Sequence, residues 1–291
     1  MSERADATPA APAKGGRARI RRAELGYSAP TYRADIPFLI ALGLIALVYV
    51  VLIVGMLGAM VFYVELPIVG EVFTNPRYRY AILLSLTSCT ITAILSVWVA
   101  VPTAYLLTRI EFPGKRLLDA VLDIPIVLPP LVIGLALLML FQTGVGRWVQ
   151  EYVRFTYTVP GVILAQFMVA CAFAIRTMTA AFAEIDPRQE QVAMTLGCSR
   201  AQAFWWVVLP EAQRGMIPAA TIAWARAMGE FGPVLVFAGT TAYRTEVMPT
   251  SIFLELQVGN LSVAAGISMV IVVLAMMVLM LMRLAGGRLS V

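Results

Sequence analysis

Two charged side chains interrupt the long apolar segment 215–243. Arg226 and Glu230 are four positions apart, so in a helix they lie on one face, one turn from each other. A charge inside an apolar span is costly and normally faces a protein interior or a water-filled path. Two interpretations stay open: an internal ion pair that fixes the helix register, or a pair lining a translocation path or its gate.

The chain offers few other groups for chemistry. It has no histidine, no G-x-x-x-x-G-K-[ST] loop for nucleotide phosphates, and three cysteines without metal-site spacing. We therefore expect no catalytic residue, no metal and no cofactor, and we do not expect an enzyme. Any energy from ATP must come through a partner.

The composition is that of a membrane protein. Of the 291 residues, 60% are hydrophobic and 13% are charged, whereas a soluble domain carries about 25% charged residues. A membrane-crossing helix needs ~20 apolar residues. Besides 215–243, five charge-free stretches are long enough, and together they predict an all-α, polytopic membrane protein with about six transmembrane helices: 36–64, 80–108, 124–146, 155–175 and 256–282.

The positive charges predict the orientation. Lys and Arg are concentrated before the first predicted span and in alternate loops, which places both termini in the cytoplasm. We expect a disordered basic tail over 1–35, a transmembrane domain over 36–285 and a short tail over 286–291. The basic tail suits anionic lipid head groups, and nucleic-acid binding is disfavoured.

One inner loop, 183–214, has the pattern of two helices joined by a glycine turn. An Asp-Pro pair at its start is typical of a helix N-terminus, and Gly197 is typical of the left-handed position that ends a helix. Ser199 should cap a second helix, with a glutamine three residues on. We expect that helix to end at Leu209 and Pro210.

From the pattern alone this loop has more than one interpretation. It could be an interfacial hairpin that lies on the membrane, anchored by Trp205 and Trp206. It could also be an amphipathic element that docks into a groove of a partner. A DNA-reading helix-turn-helix is disfavoured because the segment is tied to spans at both ends and has few basic side chains.

The loop resembles the signature of ABC importer permeases, which reads E-A-A, three residues, G, nine residues, I, one residue, L-P. The spacing is matched in full, with Gln, Val and Val in place of the first Glu, the first Ala and the Ile. The resemblance implies a coupling helix that docks on an ATP-binding subunit. The implied coupling residues are Glu190, Gln191, Val192, Ala193, Gly197, Val207, Leu209 and Pro210.

Two further stretches are similar to the oxyanion importers, the molybdate, tungstate and sulfate permeases. They are D-I-P-I-V-L-P-P at 123–130 and A-R-A-M-G-E-F-G at 225–232, and the whole resemblance covers about 80–285. It implies a bacterial inner-membrane permease subunit for a tetrahedral oxyanion, molybdate first, with sulfate or tungstate as alternatives. A secondary transporter and a membrane-anchored scaffold are the rival classes.

The resemblance also implies the partners. These are an ABC ATP-binding subunit, an extracytoplasmic oxyanion-binding protein, a second permease copy and the lipid membrane. The prolines at 125, 129 and 130 either end a helix at the inner surface or kink it. Asp119 and Asp123, at the same end, are expected to face water or the ATPase.

Overall fold

The computed structural model describes residues 36–64 and 66–287, and within these ranges the chain is helical, with no strand. The all-α prediction is confirmed. The predicted tail 1–35 and the last four residues lie outside the described ranges. The helices are α1 (Ile36–Tyr63), α2 (Leu66–Thr74), α3 (Pro76–Arg109), α4 (Lys115–Val127), α5 (Pro130–Gln142), α6 (Gly144–Tyr152), α7 (Val159–Glu184), α8 (Pro187–Thr195), α9 (Arg200–Ala203), the π-helix π1 (Phe204–Val208), α10 (Leu209–Met228), the π-helix π2 (Val234–Ala238), α11 (Met248–Val258) and α12 (Leu261–Gly287).

The chain divides into two units, Met1–Ala59 and Met60–Val291. The described part of the first unit is most of α1. The mean hydropathy of α1 reaches 3.0, and its 28 residues are enough to cross a bilayer.

In the second unit, α3, α7 and α10 pack side by side. Their contact surfaces are built from small residues, which let helix backbones approach closely. A Cβ placed on Gly215 would lie 2.2 Å from the Cβ of Ala181, so only glycine fits there. The fully buried alanines of this core are Ala100, Ala104, Ala170, Ala174, Ala219, Ala223 and Ala227.

Of the six predicted transmembrane helices, not all are continuous in the structure. Among the described residues, four helices (α1, α3, α7 and α12) are long and apolar enough to cross, and α4 with α5 makes up a fifth candidate. That pair is bent by 113°, because Pro129 and Pro130 have no N–H to continue α4. The predicted span 124–146 is therefore not a continuous helix.

The sixth predicted span, 215–243, is also interrupted. Its first part belongs to α10, which ends at Met228, and π2 covers only five residues further on. Pro233 cannot donate the hydrogen bond that would continue the helix, and Gly229 and Gly232 weaken it on the way.

The predicted span 256–282 begins later than expected. Residues 256–258 are the end of α11, and Gly259, with φ of 87°, separates this helix from α12. Residues 248–255, which lie between the last two predicted spans, thus belong to a helix. At the other end α12 continues to Gly287, two residues past the predicted domain boundary.

An ionic cluster fastens α11 to the start of α3. The guanidinium of Arg77 donates to Glu246 (Nη2···Oε1 2.7 Å) and to Glu255 (Nη1···Oε1 3.2 Å). Tyr78 donates to Glu255 over 3.0 Å, and Ser251 donates to Glu246 over 2.8 Å. Both carboxylates are buried, and these donors replace the hydrogen bonds to water that burial removes.

Candidate functional site

The loop 183–214, called the coupling loop after the role that the resemblance implies, has the predicted helix, glycine turn and second helix. Asp186 accepts a hydrogen bond from the backbone N–H of Arg188 over 2.9 Å and caps α8. Gly197 has φ of 96°, which favours glycine. Ser199 and Gln202 form the predicted capping box, through the contacts Gln202 N···Ser199 Oγ of 3.3 Å and Ser199 N···Gln202 Oε1 of 2.8 Å.

The second helix does not end at Leu209 and Pro210, and this prediction is wrong. The wider turn π1 intervenes, in which the N–H of Leu209 donates to the carbonyl of Phe204. The hydrogen-bond register shifts just before the proline, so Pro210 takes a first-turn position of α10, where no N–H is required. The coupling loop therefore runs without a break into the helix that carries Arg226.

The first helix of the coupling loop has an inward and an outward face. Ala193 is buried, whereas Gln191 and Val192 are exposed. Val192 is 57% exposed and Leu196, one turn further on, is 81% exposed. Leu196 was not among the predicted site residues, although its spacing of four from Val192 could have indicated it. Together they form an apolar outward patch.

Glu190 faces the interior. Its Oε1 accepts a hydrogen bond of 2.7 Å from the Tyr105 hydroxyl on α3, and Nε of Arg200 is 4.0 Å away. Glu190 is only 6% exposed. The ring of Tyr105 also stands edge-on to Phe204, with the centroids 4.7 Å apart. Glu190 thus fastens the coupling loop to α3 and does not present its carboxylate to a partner.

The remaining predicted coupling residues lie at the junction with α10. Val207 and Leu209 are half-buried, and Pro210 is exposed. Trp205 and Trp206 are exposed as well, as expected of side chains that contact lipid head groups or a partner. The structure therefore leaves the interfacial interpretation open for this pair of tryptophans.

Arg176 is a partner of Asp119 and Asp123 that the sequence did not indicate. Its Nη1 lies 2.6 Å from Oδ1 of Asp119, and its Nε lies 2.5 Å from Oδ1 of Asp123. The two carboxylates are one turn apart on α4, so both can contact the guanidinium group of Arg176 on α7. They fasten α4 to α7, although both stay partly exposed.

Arg226 and Glu230 form an ion pair with Nη1···Oε1 of 2.7 Å. The Glu230 side chain is 1% exposed and that of Arg226 is 33% exposed. The Arg226 guanidinium carbon is 5.5 Å from the centroid of the Phe173 ring, within cation–π range. Oε1 of Glu230 accepts no well-directed hydrogen bond, so the attraction to Arg226 is chiefly ionic.

A pocket of about 280 Å³ lies beside this ion pair. Its lining comes from both stretches that are similar to the oxyanion importers, 123–130 and 225–232, and from Leu131. The two stretches are far apart in the sequence but adjacent in the structure. A Cβ on Gly232 would lie 3.1 Å from the backbone nitrogen of Leu131, and one on Gly134 would lie 2.8 Å from Cα of Pro233. The lining residues are Pro129, Pro130, Leu131, Arg226, Gly229, Glu230, Phe231 and Gly232.

A family model described as "Binding-protein-dependent transport system inner membrane component" matches residues 94–286. The match includes the coupling loop and the Arg226 pocket. In the described residues, no group of three or more Cys, Asp or Glu side chains could hold a metal ion.

Three curated relatives cover most of the chain. It is 36% identical to the sulfate transport system permease protein CysT of Escherichia coli (strain K12), over 72% of this chain and 76% of the relative. It is 32% identical to the sulfate permease protein CysW of Synechocystis, over 84% and 91%. It is 33% identical to the molybdenum transport system permease protein ModB of Escherichia coli (strain K12), over 72% and 93%.

Solved structures show the same fold at lower sequence identity. A bacterial ABC transporter involved in the import of the polysaccharide alginate matches with a TM-score of 0.71 and 18% identity, over 88% of this chain and 96% of that chain. The MetNI methionine ABC transporter matches with a TM-score of 0.55 and 20% identity, over 72% and 92%. These similarities concern the fold alone.

Proposed function

The chain belongs to the family of binding-protein-dependent transport system inner membrane components, and from this premise we propose that it is the permease subunit of an ATP-driven sulfate importer. The resemblance to ABC importer permeases of the oxyanion type is confirmed by its relatives. The anion, the partners and the residue roles that follow are proposals.

One structural observation carries the ATP-driven part of the proposal. The coupling loop continues through π1 into α10, and the far end of α10 holds Arg226 beside Glu230 and the pocket. A movement imposed on α8 is therefore transmitted by packed helices to the charged pair. In this scheme the ATP-binding subunit docks on the patch formed by Val192 and Leu196.

Sulfate replaces molybdate as the first candidate. The sequence analysis placed molybdate first, but the sulfate permease CysT is the more similar of the two Escherichia coli relatives, and CysW is similar over more of this chain. Molybdate is the second candidate because ModB is aligned over 93% of its own length. Both anions are tetrahedral and doubly charged, so one permeation path suits either.

The partners follow from the family. An ATP-binding subunit supplies the hydrolysis, an extracytoplasmic binding protein delivers the anion, and a second permease completes the path. A sulfate importer would pair this chain with a different permease, whereas a molybdate importer would pair two copies of it. Both termini would lie in the cytoplasm of a multi-pass inner-membrane protein.

Uptake by whole cells distinguishes the two anions. The chain, the second permease encoded beside it, the ATP-binding subunit and the binding protein are expressed in a bacterial strain that has lost its own sulfate uptake. We expect radiolabelled sulfate to enter, with weak competition by an equal concentration of molybdate or tungstate. Uptake of molybdate without sulfate would make the second candidate correct, and uptake of none of the three would overturn the oxyanion proposal.

A further inference from the structure

The carboxylate of Glu230 occupies the place that a bound anion would take at Arg226. Its Oε1 is 2.7 Å from Nη1, the distance of a charge-assisted contact. A guanidinium binds carboxylates and tetrahedral oxyanions through the same fork of N–H donors. In this state the chain's own carboxylate is therefore the ligand of Arg226.

The two members of the pair depend on each other unequally. Glu230 is buried, and its Oε1 accepts no well-directed hydrogen bond. Arg226 is one-third exposed and also faces the Phe173 ring. If Arg226 turned to another anion, Glu230 would be left as a buried and unpaired charge, which is strongly unfavourable.

The pocket gives an anion access to the exposed side of Arg226. Its volume of about 280 Å³ is near the lower end of the range for ligand sites, about 300–1,000 Å³. Apart from the ion pair, its lining comes from prolines, glycines, Leu131 and Phe231. Arg226 is thus the positively charged side chain of the pocket lining, and Glu230 is the negatively charged one that neutralises it.

We propose that the Glu230 carboxylate competes with the transported oxyanion for Arg226, and that the oxyanion must displace it in order to bind. This inference rests on the proposed function and deepens it. A dianion has twice the charge of the carboxylate and can displace it, whereas a monoanion of similar size gains less. Glu230 returns to Arg226 once the anion moves on, so binding at the permease is weak and selective for dianions, and release is fast.

The inference is tested by anion binding to the detergent-solubilised complex of the permeases with the ATP-binding subunit. The variant Glu230→Gln keeps the size of the side chain and removes its charge. We expect it to bind radiolabelled sulfate at least about tenfold more tightly than the wild type, which corresponds to about 1.4 kcal/mol. ATP-driven uptake should be slower than in the wild type, because the anion leaves Arg226 slowly.

Two controls make the result specific. Glu211→Gln changes an exposed glutamate near the start of the same helix and should bind sulfate like the wild type. The double variant Arg226→Gln/Glu230→Gln should lose the tight binding. Nitrate, a monoanion, should compete for the wild-type site much less than sulfate does.

Unchanged or weaker sulfate binding by Glu230→Gln overturns the inference. If this variant does not assemble, Glu230→Asp is measured instead, because its shorter carboxylate reaches Arg226 less well. Tighter binding than wild type then supports the inference, and binding no tighter overturns it. Failure of the wild-type complex, reconstituted in liposomes, to take up any oxyanion would be a failure of the proposed function, and this uptake measurement is separate from the binding measurement.

Discussion

The hydroxyl of Tyr105 donates a hydrogen bond of 2.7 Å to Oε1 of Glu190 and so joins α3 to the first helix of the coupling loop. Phe204, from the second part of the loop, packs edge-on against the same tyrosine ring. Nearby, Arg109 donates to the carbonyl of Ile185 over 2.6 Å and holds the end of α7. The coupling loop is therefore attached to the membrane helices at several points, as transmission of a movement requires.

Removing this hydroxyl should weaken the attachment. In Tyr105→Phe the ring is kept, but the buried Glu190 carboxylate loses its short donor, since Nε of Arg200 stays 4.0 Å away. We expect a loss of about 1–3 kcal/mol in stability and slower ATP-driven uptake, with the ATP-binding subunit still attached. Thermal unfolding followed by tryptophan fluorescence, and uptake by proteoliposomes, check this. The exposed Tyr152, changed to Phe, is the matched control, and wild-type behaviour of Tyr105→Phe would contradict the role.

The apolar patch on α8 should carry the docking of the ATP-binding subunit. Leu196→Ser removes an exposed side chain, so the permease should fold normally. Burial of a leucine in an interface contributes about 1.5–3 kcal/mol, so the affinity for the ATP-binding subunit should fall at least about tenfold. Surface plasmon resonance with the purified subunits measures it. The neighbouring exposed Thr195, changed to Ser, should bind like wild type, and equal affinity of both variants would exclude this docking surface.

The glycine turn of the coupling loop should not tolerate a side chain. Gly197→Ala places a Cβ on a residue with φ of 96°, at a cost of about 1–2 kcal/mol. We expect lower ATP-driven uptake and weaker docking, because α8 would turn relative to α9. Gly144→Ala, in a position without neighbours within 4 Å and without positive φ, is the control for thermal stability. Equal uptake by both variants would show that the turn geometry is not required.

The Arg226–Glu230 pair should show strong coupling in a double-mutant cycle. Arg226→Gln leaves Glu230 buried without its ionic partner, and such a change costs about 3–5 kcal/mol. The double variant Arg226→Gln/Glu230→Gln should recover most of the thermal stability but no oxyanion uptake. Additive stability changes in the cycle would argue against an interaction between the two side chains. Recovery of uptake in the double variant would show that Arg226 does not act on the anion.

The sequence was sufficient for the features that depend on neighbouring residues. The capping box at Ser199, the turn at Gly197 and the long apolar spans follow from local chemistry. The inward position of Glu190 did not follow, because it depends on Tyr105, which lies 85 positions away in the sequence.

The breaks in the spans were the hardest features to predict. Prolines at a helix end and prolines at a kink have the same sequence pattern, and the close approach of Gly232 to Leu131 at the bend joins residues about 100 positions apart. The continuation of the helix through Pro210 needs a π turn, which no local pattern marks. The contacts of Arg77 with Glu246, 169 positions apart, are likewise beyond any periodicity argument.

The most direct test of the account is uptake by purified components in liposomes. The permeases and the ATP-binding subunit are reconstituted with the sulfate-loaded binding protein on the extracytoplasmic side, and radiolabelled sulfate inside the vesicles is measured with ATP or ADP on the cytoplasmic side. The account predicts accumulation that requires both ATP and the binding protein and is reduced in Leu196→Ser. Equal accumulation with ADP, driven by an ion gradient alone, would identify a secondary transporter and contradict the account.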